Sequence, residues 1–377
     1  MDFSLTDEQR RMKETVGDFF ENEGGVELAR RKMDGDEAVV DELWDAVAGM
    51  DYTALTVPVE HGGLGDGMVY LALFLEEAGR YAIPGPFAET LGFAVPLVEE
   101  LGTDAQKDAH LSGIADGEKR VSVAIHDETK ETPPGTVTME AEVTDDGYVL
   151  NGTKPLVPYA DDADTLVVAT RTRDEGGYGG VSLFLVDTDA DGVETEPIET
   201  LDGTRPLYEV EFDDVTLGED ALLGPLHGGG DALRRGIDRL NVCASAALVG
   251  GADEAVERSV QHGNEREQYG HPVGRFQAVK HRIADMWMNT QGARSLVYYA
   301  AWALENDAQD APRAVASASA FTTEECTKVF GDDIFNHGGM GFTWDHDAHI
   351  FLKQARTWET FLGTPEEHRE RVAEARL

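Results

Sequence analysis

The sequence predicts an α+β multidomain protein with three parts. A helical N-terminal domain spans residues 1–118, a central antiparallel β-barrel or sandwich spans 119–225, and a C-terminal four-helix bundle spans 226–377. Three observations carry this. Apolar residues recur at helical spacing in the first and last thirds. The middle third holds only short β-prone runs separated by turn clusters. The 377 residues exceed what one core usually serves.

The first helix is announced by Thr6 with Gln9 three residues on, a capping-box pair, followed by Leu5, Met12, Val16, Phe19 and Phe20 near one face. Pro58 through Gly65 is a turn-rich break, and a second helix follows over Met68 to Arg80, ending before Pro84-Gly85-Pro86. Strands are expected at 121–125, 148–150, 166–169, 181–186 and 208–212, with turns such as Asp145-Asp146-Gly147 between them. Their irregular spacing, without intervening helices, argues for antiparallel pairing. Beyond residue 228, Leu233, Ile237, Leu240, Ala244, Ala247 and Leu248 mark one helix. Phe276, Val279, Ile283, Met286, Thr290, Ala293, Val297, Ala300 and Leu304 mark a long one, suited to a bundle.

Composition narrows function. The formal charge is −42, and the 31 basic residues divide into 22 Arg and 9 Lys. Such self-repulsion predicts a protein adapted to high salt, where counterions screen it. The same charge argues against nucleic acid and anionic membrane as partners. Cys243 and Cys326 form no metal or disulfide pattern and read as small apolar helix residues. The N-terminus lacks a basic, then apolar, leader pattern, so the cytoplasm is the expected location. Asp345-His346-Asp347-Ala348-His349 invites a metal reading but lacks the spacing of a real site, and none is predicted.

The order of helical, β and helical parts, with several motifs in sequence, resembles the acyl-CoA dehydrogenase family over nearly the whole chain. The motifs are Thr56 to Gly65, Leu150-Asn151-Gly152-Thr153-Lys154, Val210 to Val215, Arg266-Glu267-Gln268-Tyr269-Gly270 with Arg275-Phe276-Gln277, and Gly338-Gly339-Met340-Gly341-Phe342. An Arg in the 266–270 turn can pair with a pyrophosphate, and an aromatic there can cover an adenine or flavin. Adjacent glycines at 338–341 let backbone amides approach a phosphate. The resemblance implies FAD as cofactor, in sites that span subunits, with Arg266, Gln268, Tyr269, Gln277, Gly338, Gly339, Gly341 and Thr364 as contacts. It also implies an acyl-CoA substrate, an electron-transfer flavoprotein as acceptor, and a homo- or hetero-tetramer.

The departures from the family are equally specific. The usual catalytic glutamate falls at Leu362, before Gly363-Thr364. A common Gln falls at Phe335. The flavin-lining stretch after the first strand reads Ala124 to Lys130, and the usual Trp-Ile-Thr falls at Leu156-Val157-Pro158. Proline offers neither hydroxyl nor amide hydrogen. Some members place the base on a bundle helix just before an Arg. That position reads Asp238-Arg239, which makes Asp238 the candidate base. Three readings follow. One is an acyl-CoA dehydrogenase using Asp238. The second is a non-catalytic subunit completing FAD sites on a partner. The third is a flavin enzyme of this fold acting on another substrate.

Overall fold

Helix boundaries follow the capping chemistry. A computed structural model describes residues 5–127 and 137–375. Helix α1 is Asp7–Glu23, and its capping box is present: Thr6 Oγ1 accepts from Gln9 N at 3.2 Å while Gln9 Oε1 accepts from Thr6 N at 3.0 Å. The remaining helices are α2 Val26–Met33, α3 Ala38–Ala48, α4 Met68–Arg80, α5 Val95–Leu101, α6 Asp104–Ala115, α7 Gly230–Glu265, α8 Gln277–Glu305, α9 Ala311–His337, α10 Ala348–Leu362 and α11 Pro365–Glu374. A π-helical stretch, Ala88–Ala94, precedes α5 and is buried throughout.

The chain gathers into two compact units. One comprises Met1–Gly35, Ala72–Pro84 and Asn241–Leu377; the other comprises Asp36–Leu71 and Gly85–Leu240. The first is helical apart from one short hairpin at residues 267–272. Its helices α4 and α7 meet backbone to backbone: a Cβ on Gly79 would stand 2.0 Å from the Ala247 carbonyl oxygen, and one on Gly250 would stand 1.7 Å from that of Glu76. Beside this crossing Glu76 is almost fully buried, yet satisfied. Its carboxylate accepts from Lys13 of α1 at 2.6 Å, Arg294 of α8 at 2.8 Å and the Tyr298 hydroxyl at 2.7 Å. Arg294 also reaches Asp253 of α7 at 3.0 Å. One carboxylate thus joins α1, α4 and α8, and Arg294 extends the network to α7, the kind of fully partnered arrangement a buried charge requires.

The second unit holds the strands: β1 Val121–Ala124, β2 Ala141–Thr144, β3 Gly147–Pro158, β4 Thr165–Arg171, β5 Val181–Asp187, β6 Val193–Ile198, β7 Leu207–Leu217 and β8 Leu222–Leu223. They form two four-stranded sheets, ordered β1-β4-β5-β8 and β2-β3-β7-β6. Leu150, Val210 and Phe212 from one sheet share a core with Leu166, Val168 and Phe184 from the other. The sandwich half of the expectation holds and the barrel half is corrected, because neither sheet closes. The antiparallel expectation also needs correcting: β1 runs parallel to β4, with Val121 opposite Thr165. Strand β1 enters straight from α6, so its pairing is not the product of a hairpin. Thr90 of the π-helical stretch ties that entry down. Its Oγ1 donates to the Val121 carbonyl at 2.8 Å and accepts from the Val121 amide at 3.1 Å.

Candidate active site

Between α7 and α8 the chain makes a small antiparallel hairpin from β9 (Glu267–Gln268) and β10 (His271–Pro272). Tyr269 at its tip adopts φ +55° and is 90% exposed, with its ring edge-on to Phe276 at 6.2 Å. Arg266, Gln268 and Gln277 are exposed as well. The structure places three of these predicted residues on the exposed hairpin and Gln277 at the start of α8, all with side chains largely free of the unit's core.

The glycine loop follows α9. Gly338 has φ +62°, and no heavy atom lies within 4 Å of a Cβ built on Gly338 or Gly339. The backbone is therefore open to a ligand on that side, as a phosphate cradle needs. Gly341 serves differently: a Cβ there would meet the Ile334 carbonyl oxygen at 2.4 Å, so this glycine lets the loop fold back onto α9. Phe335, Met340, Phe342 and Trp344 around the loop are all more than half exposed.

Beneath both features lies a stack of three imidazoles that sequence reasoning missed. His262 of α7 and His337 of α9 have ring centroids 4.5 Å apart, and His337 and His346 are 4.3 Å apart. Asp333 organises the stack. It receives Arg258 at 2.9 Å and Ser259 at 2.7 Å, and its carbonyl oxygen lies 2.9 Å from His337 Nδ1. Burial pulls His337 down, but the hydrogen bonds and charge of Asp333 outweigh it and hold the ring above its ordinary value. Burial, then the neighbouring His337, pushes His262 and His346 below theirs. Among the described residues no cluster has the ligands to hold a metal ion.

Leu362 is buried at the end of α10, and Gly363, at φ +117°, stops the helix. No carboxylate occupies the position where the resemblance places one. The hydroxyl of Thr364, a predicted cofactor contact, is engaged in a capping box with Glu367 that starts α11. His368 packs under the turn, 3.3 Å from where a Gly363 Cβ would stand, and burial drives its pKa down to about 4.

Asp238 lies on the part of α7 that belongs to the sheet-bearing unit. It is 5% exposed. Gly236, two residues before it, has no room for a side chain, since a Cβ would stand 2.7 Å from the Phe93 ring of the π-helical stretch. The same stretch carries Glu89, fully buried and hydrogen-bonded by Arg205. Arg205 in turn lies over the Tyr159 ring, 5.7 Å from its centroid. A lone acid in the apolar run Phe87 to Pro96 was the available signal for Glu89.

The strand end expected to face the flavin is irregular. The β3–β7 register shifts between Lys154 and Val157, and Leu156 and Tyr159 take φ +60° and +50°. Non-glycine residues held there store strain, which concentrates at functional sites. Lys154 points inward, fully buried, and pairs with Asp127 at 2.7 Å; Asp127 also accepts the Thr138 amide at 2.6 Å. Glu128, Thr129 and Lys130, from the altered flavin-lining stretch, lie outside the described residues. Two clefts within single units, about 650 Å³ between α9 and α11 and about 530 Å³ around Arg171, contain none of the predicted site residues.

Comparison with known proteins decides the family. Three models match in order: the acyl-CoA dehydrogenase N-terminal domain at residues 6–118, the middle domain at 122–215 and the C-terminal domain at 228–377. The chain belongs to the acyl-CoA dehydrogenase family. Members are FAD-dependent oxidoreductases, and the helix, sheet and helix order is that of the family fold. The chain is 28% identical over 372 residues to the probable acyl-CoA dehydrogenase YngJ of Bacillus subtilis, covering 97% of each chain. Among solved structures it is similar to the Tcur3481-Tcur3483 steroid ACAD in a variant form, at 30% identity and TM-score 0.87, covering 99% of this chain and 98% of that one. It is also similar to a chain of the ChsE4-ChsE5 complex from Mycobacterium tuberculosis, at 25% identity and TM-score 0.89, with 99% and 98% covered. Among the described residues no helix is long and apolar enough to cross a membrane.

Proposed function

We propose that this acyl-CoA dehydrogenase homologue catalyses the α,β-dehydrogenation of an acyl-CoA thioester, with Asp238 as the base and an electron-transfer flavoprotein as the acceptor. The observation that carries the reading is the burial of Asp238 on α7. A carboxylate that removes an α-proton works best drawn out of water, where its basicity rises, and held in place by its own element. The close seating of Gly236 on Phe93 fixes the turn of helix that carries it. Bound FAD would supply the hydride acceptor. The chain's own residues fit such a group: the open amides at Gly338 and Gly339 suit a phosphate, and Arg266, Gln268 and Tyr269 on the hairpin, with Gln277 at the start of α8, stand clear to contact a cofactor shared between subunits. Gly341 contributes by closing the loop onto α9, and Thr364 by starting the helix beside it.

A second reading has its own support. Leu362 and Pro158 lack the groups the reaction and the flavin use, whereas the outward hairpin and glycine loop are intact. A chain built this way would complete FAD sites on a partner without catalysing, and two of the similar structures involve pairs of differently named chains. Purification from high salt, alone and with a co-expressed homologous subunit, separates the two. Stoichiometric flavin in the lone chain, bleached by an acyl-CoA, supports the first reading. Flavin that appears only in the pair supports the second.

A further inference from the structure

We propose that the His262–His337–His346 cluster is a proton-operated latch that keeps the glycine loop and the end of α7, from which the hairpin springs, packed against α9 only while no more than one of its rings is charged. The three residues occupy the joints that matter. His262 lies four residues before Arg266, His337 directly precedes Gly338, and His346 closes the turn before α10. Ring centroids 4.3–4.5 Å apart, with planes tilted by 46° and 53°, pack these segments against one another.

The hydrogen bonds assign the protons. His346 Nδ1 accepts the Ala348 amide at 3.2 Å, at the first turn of α10, so this ring must be neutral to serve. His337 Nδ1 lies 2.9 Å from the Asp333 carbonyl oxygen and 3.3 Å from its carboxylate, so His337 is the ring built to carry charge. Charged groups face the stack from every side. Helix α7 contributes Arg258, Glu265 and Arg266, and α9 contributes Asp333. The turn before α10 contributes Asp347, itself paired with Arg30 of α2 at 2.6 Å, while Arg282 of α8 engages Asn336, the neighbour of His337, at 3.3 Å. Among the described residues Asp333 is the carboxylate paired with His337, and Arg258 and Ser259 already share it.

The sign follows. His337, raised, binds its proton more tightly folded than unfolded, so that contribution is fully present below the ordinary value of 6.5 and is lost as the pH rises through the raised one. His262 and His346, lowered, oppose it. As the pH falls below 6.5 the unfolded chain takes protons that the stacked rings refuse, and the stacked form loses stability. A second proton puts two like charges in contact and removes the acceptor for Ala348. Acidification therefore frees the loop and the hairpin-bearing end of α7 together. That this would also release a cofactor or partner rests on the proposed function; the latch itself is tested without either.

The test uses cofactor-free protein with isotope-labelled histidine, titrated by NMR from about pH 8 to about pH 5 at fixed high salt. Hydrogen exchange over 262–276 and 335–350 is followed in parallel, corrected for intrinsic rates. One ring should titrate above 6.5 and two below it, and loop exchange should rise about tenfold on acidification. In His346→Asn, whose amide oxygen can still cap Ala348, the rise should fall below about twofold. His262→Gln tests the coupling from the α7 side should the first variant not fold. Three independent titrations near 6.5, or an undiminished rise in either variant, overturn the proposal.

Discussion

Replacing Lys154 with Met tests whether the inner wall of the β-unit depends on one buried charge pair. Lys154 and Asp127 are 2.7 Å apart, with side chains 0% and 2% exposed. Their gross attraction is about 6 kcal/mol at an effective dielectric near 20. Desolvating both ions offsets most of that, so the intact pair adds little net stability. Removing one partner differs, because it strands the other. Lys154→Met leaves the Asp127 carboxylate with the Thr138 amide as its remaining described hydrogen bond. Losing one member of such a pair costs about 3–5 kcal/mol. For a unit of this size that lowers the calorimetric midpoint by roughly 10 °C. The double variant Asp127→Leu/Lys154→Met should recover most of the loss, since no unpaired ion remains. Burial shields the pair from salt, so the loss should persist from low to multimolar KCl. A single variant within about 2 °C of the parent, or a loss that salt abolishes, would refute the reasoning.

Three further outcomes follow from the same structure. His110 and His368 are buried with pKa values pulled from 6.5 to about 4, by desolvation first and then by Lys119 and Arg371 respectively. Each should therefore cost up to roughly 3 kcal/mol of stability as the pH falls from 6.5 to 4; thermal melts of His110→Asn and His368→Asn should show a shallower acid loss than the parent. Gly250→Ala forces a methyl against the Glu76 carbonyl and should lower the melting midpoint of the helical unit by 5 °C or more, roughly, or prevent folding. Tyr269→Ala, at a 90% exposed tip, should leave the melt of the lone chain within about 2 °C while weakening flavin retention in the oligomer.

The sequence displayed what local chemistry controls. The Thr6–Gln9 box, the limits Met68–Arg80 of α4 and the buried stripe Met286, Thr290, Ala293, Val297 and Ala300 of α8 all follow from spacing within one helix. The same local signature stood at Thr364 and Glu367, where the resemblance drew attention to the cofactor instead of the cap. Pairings across long separations left no such trace. The parallel register of β1 on β4 depends on how a strand enters from α6, which no periodicity records. Glu76 looks like one more surface acid in a chain with 73 acidic residues, Glu89 stands out only as a lone acid in an apolar run, and their distant partners Arg294 and Arg205 show why burial is tolerated. The histidine stack joins positions 262, 337 and 346 and is visible only once α7 and α9 lie side by side. The exposed hairpin was readable as a motif, whereas the burial of Asp238 needed the packing of Gly236 on Phe93.

The central claim is that Asp238 takes the α-proton, and anaerobic mixing of flavin-loaded protein with acyl-CoA measures it most directly. Flavin bleaching should be rapid in the parent, slower by about 10²–10⁴-fold in Asp238→Asn, and partly kept in Asp238→Glu, with flavin content unchanged in all three. Bleaching in Asp238→Asn within about threefold of the parent, or a flavin-replete parent that no acyl-CoA bleaches, would contradict the account.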